Sequence, residues 1–249
     1  MAITQLTPID VVVCVAGNNE LLDAVVPMFL SSLRSKCNLE NVRLFAVFRK
    51  QLPVSDVVRR LLEFDFNIVE IDIPVRSHCR EDASIVCNWM VDNLGSSPLV
   101  SVSHFDIVFH QDFFRWARSW MTGERNEGAR MVGRHRDGIM LIDRDAYRKC
   151  GVGFIGIDNM RAVRDSCGQL RVVGMYEPVD ERYRQPGREN GEKLLSLDVG
   201  QLLELRMSTL YQHCMFTSGG IFTHIGNGSG HSMDKEQVGQ LLRRVRNYQ

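Results

Sequence analysis

The sequence has no surplus of either charge. Its 249 residues carry 30 Lys and Arg against 30 Asp and Glu, so the formal net charge is zero. Proteins that hold duplex nucleic acid by its phosphate backbone present an excess of basic residues. The balance predicts no duplex nucleic acid partner and leaves room only for a local basic patch.

Cysteine pairs at metal-binding spacing are also missing. Seven cysteines are scattered along the chain without a CxxC motif, which argues against a structural zinc site. Cys14 and Cys87 lie inside apolar runs, where a thiol behaves as a small hydrophobic side chain. An odd number of scattered cysteines is typical of a reducing compartment, so we expect a cytoplasmic protein.

No membrane anchor or secretion signal is visible. No apolar run approaches the ~20 residues that span a bilayer, so we expect no transmembrane segment. The first residues show no basic segment followed by an apolar one, and no signal peptide is expected. The hydrophobic content of 44% and charged content of 24% are those of a globular chain long enough for one large α/β domain.

Short apolar runs alternate with helical patterns in the first half of the chain. Residues 10–17 (DVVVCVAG) are apolar without alternation, as in a strand buried on both faces of a parallel sheet. A helix is predicted next, with Asn19 as its N-cap and Pro27 marking a kink or a late start. Two further strands, at 42–48 and 67–73, complete a β-α-β-α-β order that is typical of a Rossmann-like fold. The GxGxxG fingerprint of dinucleotide binding is absent after the first strand.

The chain is organised around residues 100–115, VSVSHFDIVFHQDFFR. A buried strand at 99–102 runs into a polar elbow formed by His104, Phe105 and Asp106. The carboxyl ends of strands are where open α/β sheets bind ligands. His104 and Asp106 are two residues apart, so extended backbone would turn both to one side, where they could hold a cation or a ribose. The alternative is a turn carboxylate beside a strand-end histidine.

The second half has a weaker pattern. Residues 137–142 (DGIMLI) predict a strand that leads into a helix and then a glycine-rich loop ending at Asp158. Residues 161–191 are polar and Arg-rich with two prolines, which predicts irregular structure. Residues 194–207 predict either a helix or a strand followed by a helix, with Asp198 near the start.

The last part of the chain combines glycine and histidine. A short strand at 221–225 is predicted before the turn Gly226 to Gly230, and a basic amphipathic helix is predicted at 235–246. That helix is expected to pack by its apolar stripe with the arginines solvated. An acidic partner or a membrane surface is the alternative role for its basic face.

Four segments together resemble the GT-A glycosyltransferases of the broad family 2 type. They are VVVCVAGNNELLDAVVPMFLSSL (11–33), RSHCREDASIVCNWMVDN (76–93), LVSVSHFDIVFHQDFF (99–114) and DGIMLIDRDAYRKCGVGF (137–154). The resemblance implies a GT-A-like α/β fold, with a Rossmann-like nucleotide-binding half and a mixed central sheet flanked by helices. It also implies a single domain over 1–249, divided into a nucleotide-binding half (1–121), an acceptor and metal-completing half (122–234) and a C-terminal amphipathic helix (235–249).

The resemblance implies transfer of a sugar from a nucleotide-sugar donor to an unknown acceptor. The positions that match the family's Asp-x-Asp motif are His104 and Asp106, so a histidine replaces the first Asp. Imidazole is a fair ligand for Mn²⁺ and a poor one for Mg²⁺, so the expected cofactor is a divalent metal, Mn²⁺ rather than Mg²⁺. The family often completes its metal site with a histidine near the C-terminal end, and His224 and His231 are the two candidates. Both could instead belong to an exposed glycine-rich turn.

The remaining functional positions follow from the same resemblance. The expected donor-binding residues are Ala16, Gly17, Asn18, Glu20, Ser77, His78, Arg80, His104, Phe105 and Asp106. The candidate catalytic bases are Asp158 and Asp198, which the sequence alone does not separate.

Two other functions are also compatible with the sequence. The first is a catalytically silent binding protein on the same fold, suggested by the altered first Asp. The second is a metal-dependent nucleotidyltransferase or hydrolase, although the loop after the first strand has no Lys or Arg and no GxSxG elbow is present. The sugar, the nucleobase, the acceptor, the stereochemical outcome and the oligomeric state are not set by the sequence.

Overall fold

The structure is a computed structural model that describes residues 3–76, 79–123, 128–164, 170–175, 193–211, 214–215, 220–226 and 235–246. Its helices are α1 (Asn19–Lys36), α2 (Asp56–Glu63), α3 (Cys79–Asn93), α4 (Phe113–Met121), α5 (Arg144–Cys150), α6 (Gln201–Tyr211) and α7 (Lys235–Arg246), with a 3-10 turn at His135–Asp137. Its strands are β1 (Ile9–Val15), β2 (Val42–Arg49), β3 (Asn67–Ile71), β4 (Leu99–Ser103), β5 (Ile107–Phe109), β6 (Met131–Arg134), β7 (Ile139–Asp143), β8 (Ile157–Arg164), β9 (Leu170–Met175), β10 (Lys193–Leu197), β11 (Cys214–Met215) and β12 (Phe222–His224).

Within the described residues, seven strands form the main sheet in the order β11-β6-β7-β4-β1-β2-β3. The four strands β1 to β4 run parallel, whereas β7 runs antiparallel to both β4 and β6. The carboxyl ends of β1 to β4 therefore share one edge with the start of β7. The predicted α/β class, with a Rossmann-like half and a mixed central sheet flanked by helices, is confirmed.

Helices cover both faces of this sheet. Along β1, Val11 and Val13 pack into the layer that contains α1, α2, α4 and α7, while Val12 packs into the layer of α3, α5 and α6. A strand that is buried on both faces needs apolar residues at successive positions, which explains the uninterrupted run seen in the sequence. No helix in the described ranges has the length and hydropathy needed to cross a membrane.

The start of α1 differs from the prediction. Asn18, not Asn19, is the N-cap, and its side-chain oxygen accepts hydrogen bonds from the backbone N–H groups of Glu20 and Leu21. The helix also continues through Pro27 instead of starting there. A proline interrupts one hydrogen bond of a helix, and here the buried face of α1 keeps the helix continuous against the sheet.

The prediction of irregular structure over 161–191 is wrong for the part of it that the structure describes. β8 pairs antiparallel with β9, and β10 adds to the other side of β8. Strands form the backbone hydrogen bonds of a sheet whether their side chains are polar or apolar. A small antiparallel sheet can also keep one face in water, where polar side chains are favourable. The polar composition therefore concealed two strands. For 194–207, the strand followed by a helix is the correct alternative.

A buried ionic network holds the opposite edge of the sheet. Asp10, at the start of β1, is fully buried and accepts hydrogen bonds from the Ser97 backbone N–H (2.7 Å), Arg43 Nε (2.8 Å) and Arg144 Nη2 (3.2 Å). Gly95 lies so close that a Cβ there would be 2.1 Å from the Asp10 carboxylate. The network ties α5 and the turn before β4 to the first strand.

Candidate functional site

The elbow after β4 lies at the carboxyl edge of the main sheet. The backbone N–H of His104 donates to the carbonyl of Gly138 (2.7 Å), which attaches the elbow to the turn before β7. The chain then continues as β5, which pairs antiparallel with β12 and places His224 opposite Ile107. The backbone N–H of Ile225 donates to the carbonyl of Asp106 (2.9 Å). A residue 120 positions along the chain from His104 is thereby brought to the elbow.

His104, Asp106 and His224 form one compact cluster, which we call the elbow triad. Asp106 Oδ1 lies 3.2 Å from His224 Nε2 and 3.8 Å from His104 Nδ1, and the two nitrogens are 3.4 Å apart. The Asp106 side chain is 1% exposed, while the two imidazoles remain 18% and 16% exposed. The carboxylate is therefore buried behind two rings that reach the surface of the site.

The spacing of the elbow triad fits one metal ion. A circle through three atoms separated by 3.2, 3.4 and 3.8 Å has a radius of about 2.0 Å, close to the usual length of metal–imidazole and metal–carboxylate bonds. Two imidazoles and one carboxylate suit a first-row transition metal, whereas Mg²⁺ prefers oxygen. Among the described residues, these three side chains form the group of potential metal ligands whose ligand atoms all lie within 4.8 Å of one another.

His135 lies on the other side of His104. Its Nε2 is 3.4 Å from His104 Nε2, and the two rings meet edge to face with centroids 4.8 Å apart. His135 belongs to the 3-10 turn between β6 and β7, which reaches this edge because β7 returns antiparallel to β4. No local sequence pattern singles out this histidine, since its placement depends on strand order.

The three histidines differ in protonation. Burial lowers the pKa of His104 to about 4, against the opposing charges of Asp106 and Asp198. Burial also lowers the pKa of His135 well below its usual value. Burial acts in the same direction on His224, but the hydrogen bond and charge of Asp106 outweigh it and raise its pKa above 6.5. Of the three histidines, His224 therefore holds a proton most strongly in the metal-free cluster.

A second set of residues fixes His135. The Cys87 thiol is 3.5 Å from His135 Nε2, and the Phe154 ring packs edge to face against the imidazole at 5.8 Å. The Glu204 carboxylate accepts a hydrogen bond from the His135 backbone N–H, and burial raises the pKa of this carboxyl to about 7 despite the charge of Arg134. Contacts from α3, α6 and the loop before β8 thus meet at this one residue, the first and last of them at its ring.

Gly138 leaves the space that His224 occupies. Its φ is +92°, and a Cβ there would lie 2.9 Å from His224 Cδ2 and 3.1 Å from Ile107 Cδ1. A glycine meets both requirements, because it adopts positive φ without strain and has no side chain. From the sequence, Gly138 is predicted only to lie within the strand at 137–142.

The predicted donor loop ends β1 at the same edge of the sheet. Ala16 is buried and Glu20 is exposed, and Gly17 lies between β1 and the cap of α1. The Asn18 side chain is engaged in capping α1 through two hydrogen bonds. A role of these residues in binding a donor stays a prediction. For Phe105, the side chain is 1% exposed and packs in the core, so only its backbone faces the site.

Arg80 and Asp198 form a pair beside the elbow triad. Arg80 Nε is 3.6 Å from Asp198 Oδ1, and the two side chains are 36% and 43% exposed. The charge of Asp198 acts to raise the pKa of His104, against the larger effect of burial. A Cβ on Gly156 would be 2.8 Å from both Arg80 Cβ and Val199 Cγ2, so the loop before β8 packs against Arg80 and against the neighbour of Asp198 in the chain.

Other predicted positions are not tested by side-chain geometry. Ser77, His78 and His231 lie outside the described residues. Asp158 lies in β8, and the structure describes its backbone alone. Of the two candidate bases, Asp198 is therefore the one whose side chain is located.

No protein-family model and no curated protein matches the chain. Among solved structures, it is similar to the mannosyltransferase PcManGT from Pyrobaculum calidifontis in complex with GDP-Man and Mn²⁺. The identity is 14% over 59% of this chain and 47% of that one, with a TM-score of 0.38. It is also similar to the galactosyltransferase LgtC in complex with donor and acceptor sugar analogs, with 9% identity over 56% of this chain and 59% of that one and a TM-score of 0.36. The chain spans about half the length of these proteins. At this identity the likeness concerns the fold alone.

Proposed function

We propose that the protein is a metal-assisted glycosyltransferase that moves a sugar from a nucleotide-sugar donor to an acceptor. The observation that carries the proposal is the elbow triad, in which His104, Asp106 and His224 converge at the carboxyl edge of the sheet with the spacing of a single-ion site. The sequence resemblance points to the same chemistry. The loop after β1, which would contact the nucleotide, ends at this same edge.

The elbow triad would hold the ion, and Mn²⁺ suits its donors better than Mg²⁺. Bound there, a divalent cation would stabilise the negative charge of the departing nucleoside diphosphate. Burial of Asp106 keeps the single anionic ligand away from water, and the fit of Gly138 fixes the ring of His224. In this proposal the chain contributes a fixed ligand geometry, so little reorganisation is needed when the donor arrives.

Arg80 and Asp198 would serve the two ends of the reaction. In this proposal the partly exposed guanidinium of Arg80 would bind the donor diphosphate. Asp198 would accept the proton of the acceptor hydroxyl if the reaction inverts the anomeric centre. Their ion pair holds the two partly exposed side chains next to each other.

The first experiment is a thermal-shift screen of nucleoside diphosphates and nucleotide sugars, with and without Mn²⁺. A ligand at a hundred times its dissociation constant stabilises the folded state by about 2.7 kcal/mol. For a chain of this size that corresponds to a rise in Tm of about 5 to 11 °C. Asp106→Asn should abolish the Mn²⁺-dependent part of the shift, while Asp145→Asn, which removes a fully exposed carboxylate on α5, should not.

Donor turnover separates a working enzyme from a silent binding protein. Release of the nucleoside diphosphate from the donor that gives the shift is followed by chromatography. We expect Asp198→Asn to keep the shift and lose turnover, and Arg80→Gln to raise KM for the donor. A Mn²⁺-dependent shift without turnover for any sugar acceptor class would favour the silent binding protein. No shift with any nucleotide would overturn the proposal.

The histidine in the first motif position gives a separate test. His104→Asp replaces an imidazole by a carboxylate at the elbow, which should move the metal preference from Mn²⁺ towards Mg²⁺. The ratio of Mn²⁺ to Mg²⁺ affinity is measured by competition. An unchanged ratio would show that His104 is not a ligand.

A further inference from the structure

His104 has two ring nitrogens that face different partners. Nδ1 faces the other two members of the elbow triad, 3.4 Å from His224 Nε2 and 3.8 Å from Asp106 Oδ1. Nε2 faces away from it, 3.4 Å from His135 Nε2. A neutral imidazole carries hydrogen on one nitrogen only, and the other nitrogen has the lone pair that can bind a metal. The tautomer of His104 therefore decides whether the elbow triad has three ligands or two.

The surroundings of the ring favour hydrogen on Nε2. His135 Nε2 lies within reach of that hydrogen and offers a lone pair in its Nδ1–H form. On the opposite side, the 3.8 Å between Nδ1 and the Asp106 carboxylate is longer than a hydrogen bond. His224 Nε2 is 3.4 Å from Nδ1, but it donates its own hydrogen to Asp106 Oδ1, 3.2 Å away, and so offers Nδ1 no lone pair. Metal-binding histidines usually donate their second N–H to a fixed acceptor, which sets the tautomer and the ring orientation.

We propose that His135 is a positioning residue, which accepts the Nε2–H of His104 and so directs the Nδ1 lone pair of His104 into the elbow triad. The inference rests on the proposed function only for the identity of the ion. The hydrogen bond itself is a property of the metal-free chain.

His135 is held firmly enough for this task. His135 is 8% exposed, and its ring packs against Phe154. Gly200 lies close on another side, since a Cβ on that glycine would be 3.0 Å from the His135 Cβ. Its backbone N–H donates to the Glu204 carboxylate. The Cys87 thiol nearby is a weak donor, which leaves the His104 N–H as the stronger partner for His135 Nε2.

Two substitutions separate hydrogen bonding from packing. His135→Gln keeps a side-chain oxygen that can accept the His104 N–H, whereas His135→Phe keeps a flat ring without an acceptor. His110→Phe is the matched control, because His110 is exposed, lies just after the far end of β5 from the elbow and hydrogen-bonds to Thr223. Far-UV circular dichroism and the urea midpoint report whether each variant folds.

The first measurement is long-range ¹H–¹⁵N NMR of the metal-free protein, which reports the tautomer of each histidine. We expect the Nε2–H form of His104 in the wild type and in His135→Gln, and loss of that preference in His135→Phe. The second measurement is the Mn²⁺ dissociation constant from electron paramagnetic resonance. We expect it to rise about 10- to 100-fold in His135→Phe and to change little in His135→Gln or His110→Phe.

An Nδ1–H tautomer of His104 in the wild type would overturn the proposal even if no variant of His135 folds. Wild-type Mn²⁺ affinity in a folded His135→Phe would also overturn it. If the wild type binds no Mn²⁺ at all, the metal part of the proposed function fails, while the NMR result still decides the role of His135.

Discussion

Mn²⁺ and a proton compete for the same nitrogen of His224, and this competition sets the pH dependence of metal binding. The proton is held by Asp106 Oδ1, 3.2 Å from His224 Nε2, which raises the pKa of His224 although burial opposes it. His104, with its pKa lowered to about 4, is neutral above pH 5 or so. One proton, from His224, must therefore leave when the ion binds.

The size of the effect follows from that count. Below the pKa of His224, the apparent Mn²⁺ affinity should rise about tenfold per pH unit, and above it the affinity should level off. The assay is a Mn²⁺ titration by electron paramagnetic resonance between about pH 5.5 and 8.5. Asp106→Asn removes the charge and weakens the hydrogen bond that raise the pKa of His224, so the sloping region should move to lower pH and the affinity should fall. Asp145→Asn should retain the wild-type profile.

The metal-free protein should show the opposite trend in stability. A histidine whose folded pKa is raised stabilises the folded state fully below its unfolded pKa of about 6.5, and the contribution is lost as the pH rises through the folded value. Urea midpoints without metal should therefore decrease above neutral pH, while those with Mn²⁺ should not.

In the Mn²⁺ titration, a hundredfold change in Mn²⁺ affinity per pH unit would mean that two protons are released on binding, and an affinity independent of pH would mean that none is. Either result would refute this account of the cluster.

Three further substitutions test other parts of the structure. Gly138→Ala should weaken Mn²⁺ binding by about tenfold or more, because its Cβ would displace the His224 ring, whereas Gly151→Ala has similar positive φ and open space and should affect stability only. Equal metal affinity in the two variants would contradict this. Asp10→Asn should lower the free energy of unfolding by about 3–5 kcal/mol in urea, because it leaves a buried arginine without its counter-charge. A loss under about 1 kcal/mol would show that the network is dispensable. Glu204→Gln should gain stability relative to the wild type as the pH rises from about 4.5 to 7, at up to about 1.4 kcal/mol per pH unit, because the buried carboxyl ionises at a cost over that range. Parallel pH profiles of the two urea midpoints would exclude this.

The sequence predicted those parts of the fold that depend on local pattern. Val11 to Val13 are apolar at every position because β1 is covered on both faces, and that requirement is visible without a structure. The sequence points to His104 and Asp106 because open α/β sheets bind ligands at the carboxyl ends of their strands. The structure adds that their side chains converge on His224, which the resemblance had proposed as one of two alternatives.

Strand order was not predictable from local pattern, and the rest of the site depends on it. His135 reaches His104 because β7 returns antiparallel beside β4, and Gly138 reaches His224 because β12 pairs with β5. These pairings join distant segments, and nothing in a short window of sequence records them. The difference between Asn18 and Asn19 is of another kind, since both are good caps and only backbone geometry decides between them.

The pairing of β5 with β12 has a consequence for how the chain is made. His104 and Asp106 are synthesised about 120 residues before His224, which at cellular rates is an interval of roughly 6 to 24 s. During that interval a nascent chain presents one imidazole and one carboxylate at the elbow, too few ligands to retain a transition metal tightly. A metal ion would therefore be captured only after β12 has been synthesised and has paired with β5. Ribosome-bound chains that stop before β12 should fold their first strands and still release Mn²⁺ to a weak chelator.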